Sequence, residues 1–163
     1  MTRLIATVLG VGYLKPAPGT WGSLAALPLF WVLHQIGSWP LALSATLVVT
    51  VVGIWAIGLE TEGKEDHDPS EIVIDEVAGQ WVALLPVSLG AAMAGSDVLA
   101  LYPGWIAAFV LFRLFDIWKP GPVGWADRRG DALGVMLDDL IAGVFAGIGV
   151  LLLAAISHGL LMS

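Results

Sequence analysis

Cysteine is absent from the 163-residue sequence, and charged residues are scarce at 13%. The absence of cysteine excludes disulfide bonds, thiolate metal sites and a cysteine nucleophile. Hydrophobic residues make up 58% of the chain and eight tryptophans are present, a composition typical of proteins that cross a membrane. The net charge of −7 argues against a nucleic-acid partner, although a local group of basic residues can still bind one phosphate.

Five uncharged apolar runs predict the fold. A spanning helix needs about 20 such residues, and the runs cover approximately residues 22–38, 40–59, 77–95, 98–112 and 140–162. Pro40, which follows Gly37, Ser38 and Trp39, predicts a tight hairpin between the first two runs. We therefore expect an all-α, polytopic membrane helical bundle of about five apolar helices, formed as a single domain over residues 1–163.

The charged residues are predicted to lie on one side of the membrane. If all five runs cross, residues 1–21, 60–76 and 113–139 share a side, and these segments contain every Lys and Arg of the chain. The other side receives only Ser38–Trp39, Asp97 and the carboxyl end. Because Lys and Arg near helix ends favour the cytoplasm, we expect the charged side to be cytoplasmic.

Two carboxylate doublets, Asp75–Glu76 and Asp138–Asp139, each stand immediately before an apolar run that leaves this charged side. They are therefore expected to meet at one depth. Oxygen ligands without cysteine favour Mg²⁺ or a similar hard cation, so all four acids are candidate metal ligands. The alternative is that each doublet only complements the positive amino end of a helix.

Arg113, Asp116 and Lys119 are spaced by three and would share one helical face if the fourth helix continues to Lys119. Pro120 and Pro122 would then end it. Arginine offers phosphate a planar fork and lysine a point charge, so the pattern predicts an anion site. The alternative is an Arg113–Asp116 ion pair within the helix, with Lys119 extended toward lipid headgroups.

Two further patterns involve small residues. Thr20 and Ser23 flank the start of the first run, where a hydroxyl can cap the helix or bind an anion at its amino end. Gly143 and Gly147 in the last run have the spacing of small residues that pack helices closely. His34 and His158 lie within apolar runs and are expected at packing or interface positions, while His67 is expected on a solvated loop.

Four segments taken together carry a resemblance to a known family. They are PGTWGSLAA at 18–26, IVIDEVAGQW at 72–81, FRLFDIWKPGPVGWADR at 112–128 and GVMLDDLIAG at 134–143. Because it contains these four segments in this order, the sequence resembles the phosphatidylglycerophosphatase A family. The resemblance implies a multi-helical, Mg²⁺-dependent phosphatase of the bacterial inner membrane, which removes the terminal phosphate of phosphatidylglycerophosphate, a phospholipid substrate, to give phosphatidylglycerol.

The residues at matching positions define the predicted site. The expected catalytic residues are Asp75, Glu76, Asp116, Asp138 and Asp139, of which Asp75, Glu76, Asp138 and Asp139 are also the expected metal ligands. The expected phosphate-binding residues are Thr20, Ser23, Arg113 and Lys119, and Asp127 and Arg128 also match. The turn 129–134 departs from the family pattern, in which a glycine-richer turn is common. Nothing in the sequence specifies an oligomeric state.

Two rival functions stay open at this point. Another lipid phosphate-transfer enzyme, the CDP-alcohol phosphotransferase, uses the pattern DG-x₂-AR-x₈-G-x₃-D-x₃-D, which is absent here. A carboxylate-dependent ion transporter would place acids near the middle of the bilayer, commonly within broken helices. The acids of this chain instead cluster at the ends of the apolar runs, a placement that favours a lipid phosphatase.

Overall fold

The computed structural model of the protein describes residues 1–64 and 66–161, with side chains up to residue 158. Every regular element in this part of the chain is helical, so the predicted all-α fold is confirmed. Short 3₁₀ turns occupy Val11–Tyr13 and Val98–Leu101. The α-helices are α1 Thr2–Ala6, α2 Pro18–Thr61, α3 Ile74–Ala94, α4 Tyr102–Trp118, α5 Pro122–Asp127 and α6 Ala132–Leu161.

Helix α2 is too long for one crossing and is broken at its middle. Its 44 residues would extend about 66 Å if straight, twice the roughly 30 Å of a hydrocarbon core. The helical backbone is interrupted at Gly37 and Ser38, and Ser38 takes a positive φ of 55°. The break stands where the first two apolar runs meet, and Pro40 follows it.

The two halves of α2 form the expected hairpin, since residues from both halves reach the same end of α3. A Cβ atom placed on Gly22, in the first half, would lie 2.8 Å from Val73. One placed on Gly53, in the second half, would lie 3.4 Å from Ile74. Four helices are long and apolar enough to cross a membrane, and because α2 folds back on itself the five expected apolar segments are all present.

The start of α6 differs from the expectation. The helix begins at Ala132, eight residues before the apolar run, because Asp131 caps it: the Gly134 amide donates to Asp131 Oδ1 at 2.7 Å. Asp138 and Asp139 therefore lie in the second turn of α6 instead of before its first residue. The effect of the macrodipole fades within the first turn, so it does not explain this doublet.

Helix α3 occupies the centre of the bundle and touches α6 at two glycines. A Cβ on Gly143 would overlap the carbonyl oxygen of Gly79, and a Cβ on Gly79 would lie 2.6 Å from the carbonyl oxygen of Asp139. Backbones can approach this closely only where side chains are absent. A Cβ on Gly147 would make an ordinary 3.4 Å contact with Pro86. The predicted close packing is thus confirmed at Gly143.

Replacing Gly143 by alanine should separate α3 from α6, because the new methyl group collides with a backbone oxygen that cannot rotate away. Overpacking of this kind destabilises by about 1–3 kcal/mol. We expect a lower midpoint of denaturant unfolding for Gly143→Ala in detergent micelles. Gly147→Ala is the matched control and should leave the midpoint nearly unchanged; equal midpoints for the two variants would contradict the packing described here.

Candidate active site

The two carboxylate doublets meet at one end of the bundle. Asp75 and Glu76 lie in the first turn of α3, and Asp139 lies on the facing side of α6. These three residues each offer a carboxylate oxygen within 4.8 Å of the others. Asp75 and Asp139 are only 5% and 3% exposed. The packing of α3 on α6 thus gathers three acids in a largely buried group.

A second carboxylate group overlaps the first. Asp116 of α4 and Asp138 of α6 each place an oxygen within 4.8 Å of Asp139 and of each other. Asp139 therefore belongs to both groups. The sequence predicted Asp138 as a ligand beside Asp75 and Glu76, whereas the structure places it with Asp116. Asp116, expected only as a catalytic residue, stands among the candidate metal ligands.

Each acid of the first group has one carboxylate oxygen without a hydrogen-bond partner among the described residues. Asp75 Oδ1, Glu76 Oε2 and Asp139 Oδ2 are buried and accept no hydrogen bond from the described residues. Two ionised carboxylates at 4.8 Å repel by roughly 3.5 kcal/mol at an effective dielectric constant of 20. A hard divalent cation prefers oxygen ligands of this kind. The residues present fit Mg²⁺, because they supply oxygen ligands and because the charge of the ion would offset the repulsion between the carboxylates.

Arg113 lies beside these acids near the end of α4. Its Nη1 atom is 2.6 Å from Asp116 Oδ2, and both side chains are mostly buried. The ion pair foreseen as an alternative is therefore present. The first turn of α2 approaches the same place: a Cβ on Gly19 would overlap Glu76 Oε1 and lie 3.1 Å from Arg113 Nη1. Amide groups in a first helical turn are free to bind anions, so an anion here would meet both Arg113 and the start of α2.

Thr20 and Ser23 differ in their freedom to bind a ligand. Ser23 is fully buried, and its hydroxyl donates to the Gly19 carbonyl oxygen at 2.9 Å. The hydroxyl proton of Ser23 is therefore already engaged in a hydrogen bond within α2. Thr20 is partly buried in the first turn of the helix, beside Gly19. Thr20 is therefore the better placed of the two for the predicted contact with phosphate.

Lys119 does not share a helical face with Arg113, so that expectation was wrong. Helix α4 ends at Trp118, and Lys119 takes a left-handed conformation with φ of 50°. The ammonium group turns inward to two acids: it donates to Asp127, at the end of α5, and to Asp138 Oδ2 at 2.9 Å. It therefore links α5 to the carboxylate cluster.

Two opposing effects act on the Lys119 ammonium group. Partial burial disfavours the charged form and lowers the pKa of Lys119, but the hydrogen bonds to Asp127 and Asp138 outweigh this and raise the pKa above its ordinary value. The group therefore stays protonated throughout the physiological pH range. It is a permanent positive charge at the edge of the cluster.

Two structural features escaped the sequence analysis. Gln80, one turn after Glu76, is fully buried, yet neither amide atom has a hydrogen-bond partner in the described part of the chain. Its only sequence signal is a polar residue inside an apolar run. Asp131 caps α6 and also pairs with Arg129 at 3.0 Å, so the turn that departs from the family pattern has a structural role.

His34 and His67 are placed as expected, whereas His158 is exposed. His34 Nδ1 lies 2.6 Å from Ser88 Oγ, a packing contact between α2 and α3. His158 contacts the carbonyl oxygen of Ala154 within α6. His67 lies on an exposed loop. None of these three groups belongs to the carboxylate cluster.

The fold and the site together define a class: a polytopic helical membrane protein with a carboxylate cluster, suited to a hard cation, beside an arginine and a lysine. The comparisons with known proteins identify the family within this class. The model of the phosphatidylglycerophosphatase A family matches residues 4–154. The chain belongs to this family, and the resemblance found in its sequence is confirmed.

Three relatives show how far the similarity extends. A protein of Escherichia coli (strain K12) named phosphatidylglycerophosphatase A is 37% identical over 146 residues, which cover 88% of this chain and 78% of the relative. A Haemophilus influenzae protein of the same name is 34% identical, with 88% and 83% covered. A Bacteroides thetaiotaomicron protein, provisionally named a phosphatidylinositol-3-phosphatase, is 40% identical, with 88% and 87% covered. No solved structure matches the chain.

The contact between Lys119 and Asp138 can be measured by a double-mutant cycle on unfolding. Lys119→Ala leaves the mostly buried Asp138 carboxylate without its cation, and Asp138→Asn removes the charge that needs one. We expect the two changes to be coupled by about 1–2 kcal/mol, since the pair is more buried than a surface ion pair. The exposed pair Arg129–Asp131 is the control; additive effects of Lys119→Ala and Asp138→Asn would refute the contact.

Proposed function

We propose that the protein is a Mg²⁺-dependent phosphoric monoester hydrolase that removes the terminal phosphate of phosphatidylglycerophosphate to give phosphatidylglycerol. Family membership and the names of the Escherichia coli and Haemophilus influenzae relatives support this reaction. The observation that carries the proposal is the group of buried, unpartnered carboxylate oxygens beside Arg113. Such a site combines affinity for a cation with affinity for a phosphate group.

Asp75, Glu76 and Asp139 would hold Mg²⁺, and Asp116 and Asp138 extend the ligand set around Asp139. Mg²⁺ usually binds through one or two carboxylates together with substrate phosphate, so five acids are sufficient. When bound, the ion supplies positive charge that stabilises the phosphoryl oxygens as the ester is cleaved. All five carboxylates predicted from the sequence take part in this proposal, with Asp116 added to the ligand set.

The cationic groups would bind the phosphate monoester itself. Arg113 faces the cluster from α4, and Lys119 faces it from the position directly after the end of α4. The free amide groups of the first turn of α2, with Thr20, offer further donors. In the reaction a water oxygen attacks phosphorus, the bond from phosphorus to the glycerol oxygen breaks, and that oxygen takes a proton. A carboxylate of the cluster accepts the proton of the attacking water and returns it to the departing glycerol oxygen, so that the protons balance.

The position of the site suits a lipid substrate. The carboxylates lie at one end of the spans, where phospholipid headgroups reside, and not at their middle. Trp118 and Trp125 are exposed near this end, as is typical of residues at a membrane interface. This placement supports an enzyme over an ion transporter. We place the protein in the bacterial inner membrane with the site on the cytoplasmic side, because Lys and Arg accumulate there.

Phosphate release by the purified protein tests the proposed reaction. We expect Mg²⁺-dependent release from phosphatidylglycerophosphate, and a rate reduced at least about a hundredfold in Asp139→Asn, since the amide keeps the size but loses the charge that binds the cation. Asp138→Asn should also be impaired. Phosphatidylinositol-3-phosphate is the comparison substrate, chosen from the name of the Bacteroides thetaiotaomicron relative.

The control for these substitutions is Asp97→Asn. Asp97 lies in the turn between α3 and α4, where its side chain accepts a hydrogen bond from the Leu99 amide, and asparagine can cap in the same way. Its activity should equal that of the parent. A folded parent protein without turnover in Mg²⁺, or an Asp139→Asn variant with parental turnover, would show the proposed reaction or site to be wrong.

The predicted orientation can be tested by labelling, because the chain has no cysteine of its own. Lys64 and Asp97 are both exposed. Lys64 lies in the segment between α2 and α3, and Asp97 lies in the turn after α3, so the two positions are at opposite ends of α3. In intact cells, a membrane-impermeant thiol reagent should label Asp97→Cys but label Lys64→Cys only after the membrane is opened. Labelling of both variants from one side would be incompatible with the five-span topology.

A further inference from the structure

Gln80 is an unexplained polar residue in the middle of the bundle. Its side chain is fully buried in α3, and neither Oε1 nor Nε2 has a hydrogen-bond partner among the described residues. Leaving a buried amide unsatisfied destabilises a protein. Other fully buried polar residues here are satisfied: Ser23 donates to Gly19, and Ser88 contacts His34. An exception of this kind calls for a functional reason.

Gln80 lies one helical turn beyond Glu76 along α3, toward the membrane interior. It follows Glu76 by four residues, so the two side chains share a face of α3. That face points toward α4 at both ends: Glu76 lies near Arg113, and farther along the helix Val87 lies next to Gly104. Gln80 therefore stands between the charged site and the apolar packing of α3 against α4.

The unpartnered atoms of the two residues are complementary. Glu76 Oε2 is a buried acceptor without a donor, and Gln80 Nε2 is a buried donor without an acceptor. They belong to side chains one helical turn apart. A neutral amide can orient a carboxylate without cancelling the negative charge that attracts a cation, whereas a lysine or arginine at this position would cancel it.

We propose that Gln80 is a positioning residue, whose amide donates to Glu76 Oε2 when the site is loaded and holds that carboxylate toward Asp75 and Asp139. This role rests on the proposed metal-dependent function. It gives a reason for a buried amide that has no partner among the described residues. Partners of this kind fix the orientation of metal ligands, and their loss commonly reduces metal affinity or activity about 10- to 100-fold.

The variant Gln80→Met separates positioning from packing, because methionine has a similar shape and no amide. Removing an unsatisfied polar group should leave the unfolding midpoint equal to or above that of the parent. The same change should raise the Mg²⁺ concentration for half-maximal activity by about tenfold. It should also reduce the shift of the unfolding midpoint that Mg²⁺ produces, a readout that does not depend on turnover.

Two controls bracket this result. Gln35→Met makes the same substitution at an exposed position near the far end of the first half of α2, and should change neither quantity. Ser88→Ala removes a buried polar group that does have a partner, and should lower the unfolding midpoint without altering the response to Mg²⁺. The expected pattern of preserved stability with a weakened Mg²⁺ response is therefore specific to Gln80→Met.

The outcomes distinguish this role from the function on which it rests. If the parent responds to Mg²⁺ and Gln80→Met responds identically, the positioning role is wrong while the proposed function stands. If Gln80→Met loses stability as Ser88→Ala does, Gln80 is a structural residue and the proposal also fails. A parent with neither a Mg²⁺ response nor turnover would overturn the proposed function itself, and the role of Gln80 with it.

Discussion

The contact between the backbones of α3 and α6 determines where the functional groups lie. Gly79 and Gly143 touch without intervening side chains, and each follows an aspartate by four residues: Asp75 on α3 and Asp139 on α6. Since residues four apart share a helical face, the glycine contact carries both aspartates to the same depth on facing surfaces. A wider separation of the two helices would leave the carboxylates too far apart to bind one cation.

The carboxylates of the site are of two kinds, those that pair with a basic side chain of the protein and those that do not. Arg113 pairs with Asp116, and Lys119 pairs with Asp127 and Asp138, all toward the edge of the site. Among the described residues no ion pair reaches Asp75, Glu76 or Asp139, although these are the acids whose oxygens lack partners. The uncompensated negative charge is thus concentrated at the inner group, where Mg²⁺ would bind under the proposed function. Under the same proposal, the outer cations Arg113 and Lys119 would bind the phosphate from the side opposite the metal.

Sequence patterns predicted those parts of the fold that depend on local properties. The five apolar segments and the hairpin at Gly37–Ser38 follow from hydrophobicity and helix-breaking residues. The meeting of the two doublets follows from their common depth. The inward turn of Lys119 was missed because it depends on a helix that ends at Trp118, two residues before Pro120, and on partners in α5 and α6. Gln80 was missed because an absent hydrogen bond is a tertiary property with no signature in the sequence.

The concentration of charge at one end of the bundle constrains how a substrate could enter. A phosphate monoester carries too much charge to cross the apolar interior, into which α4 packs the fully buried side chains of Ala108 and Phe112. Its phosphate must therefore arrive from the end of the bundle that holds the cluster. The outer face of α4 near Arg113 is apolar and exposed at Leu114 and Ile117. A lipid beside this face would keep its acyl chains in hydrocarbon while its headgroup lies level with Arg113, so the proposed reaction requires no extraction of the lipid from the bilayer.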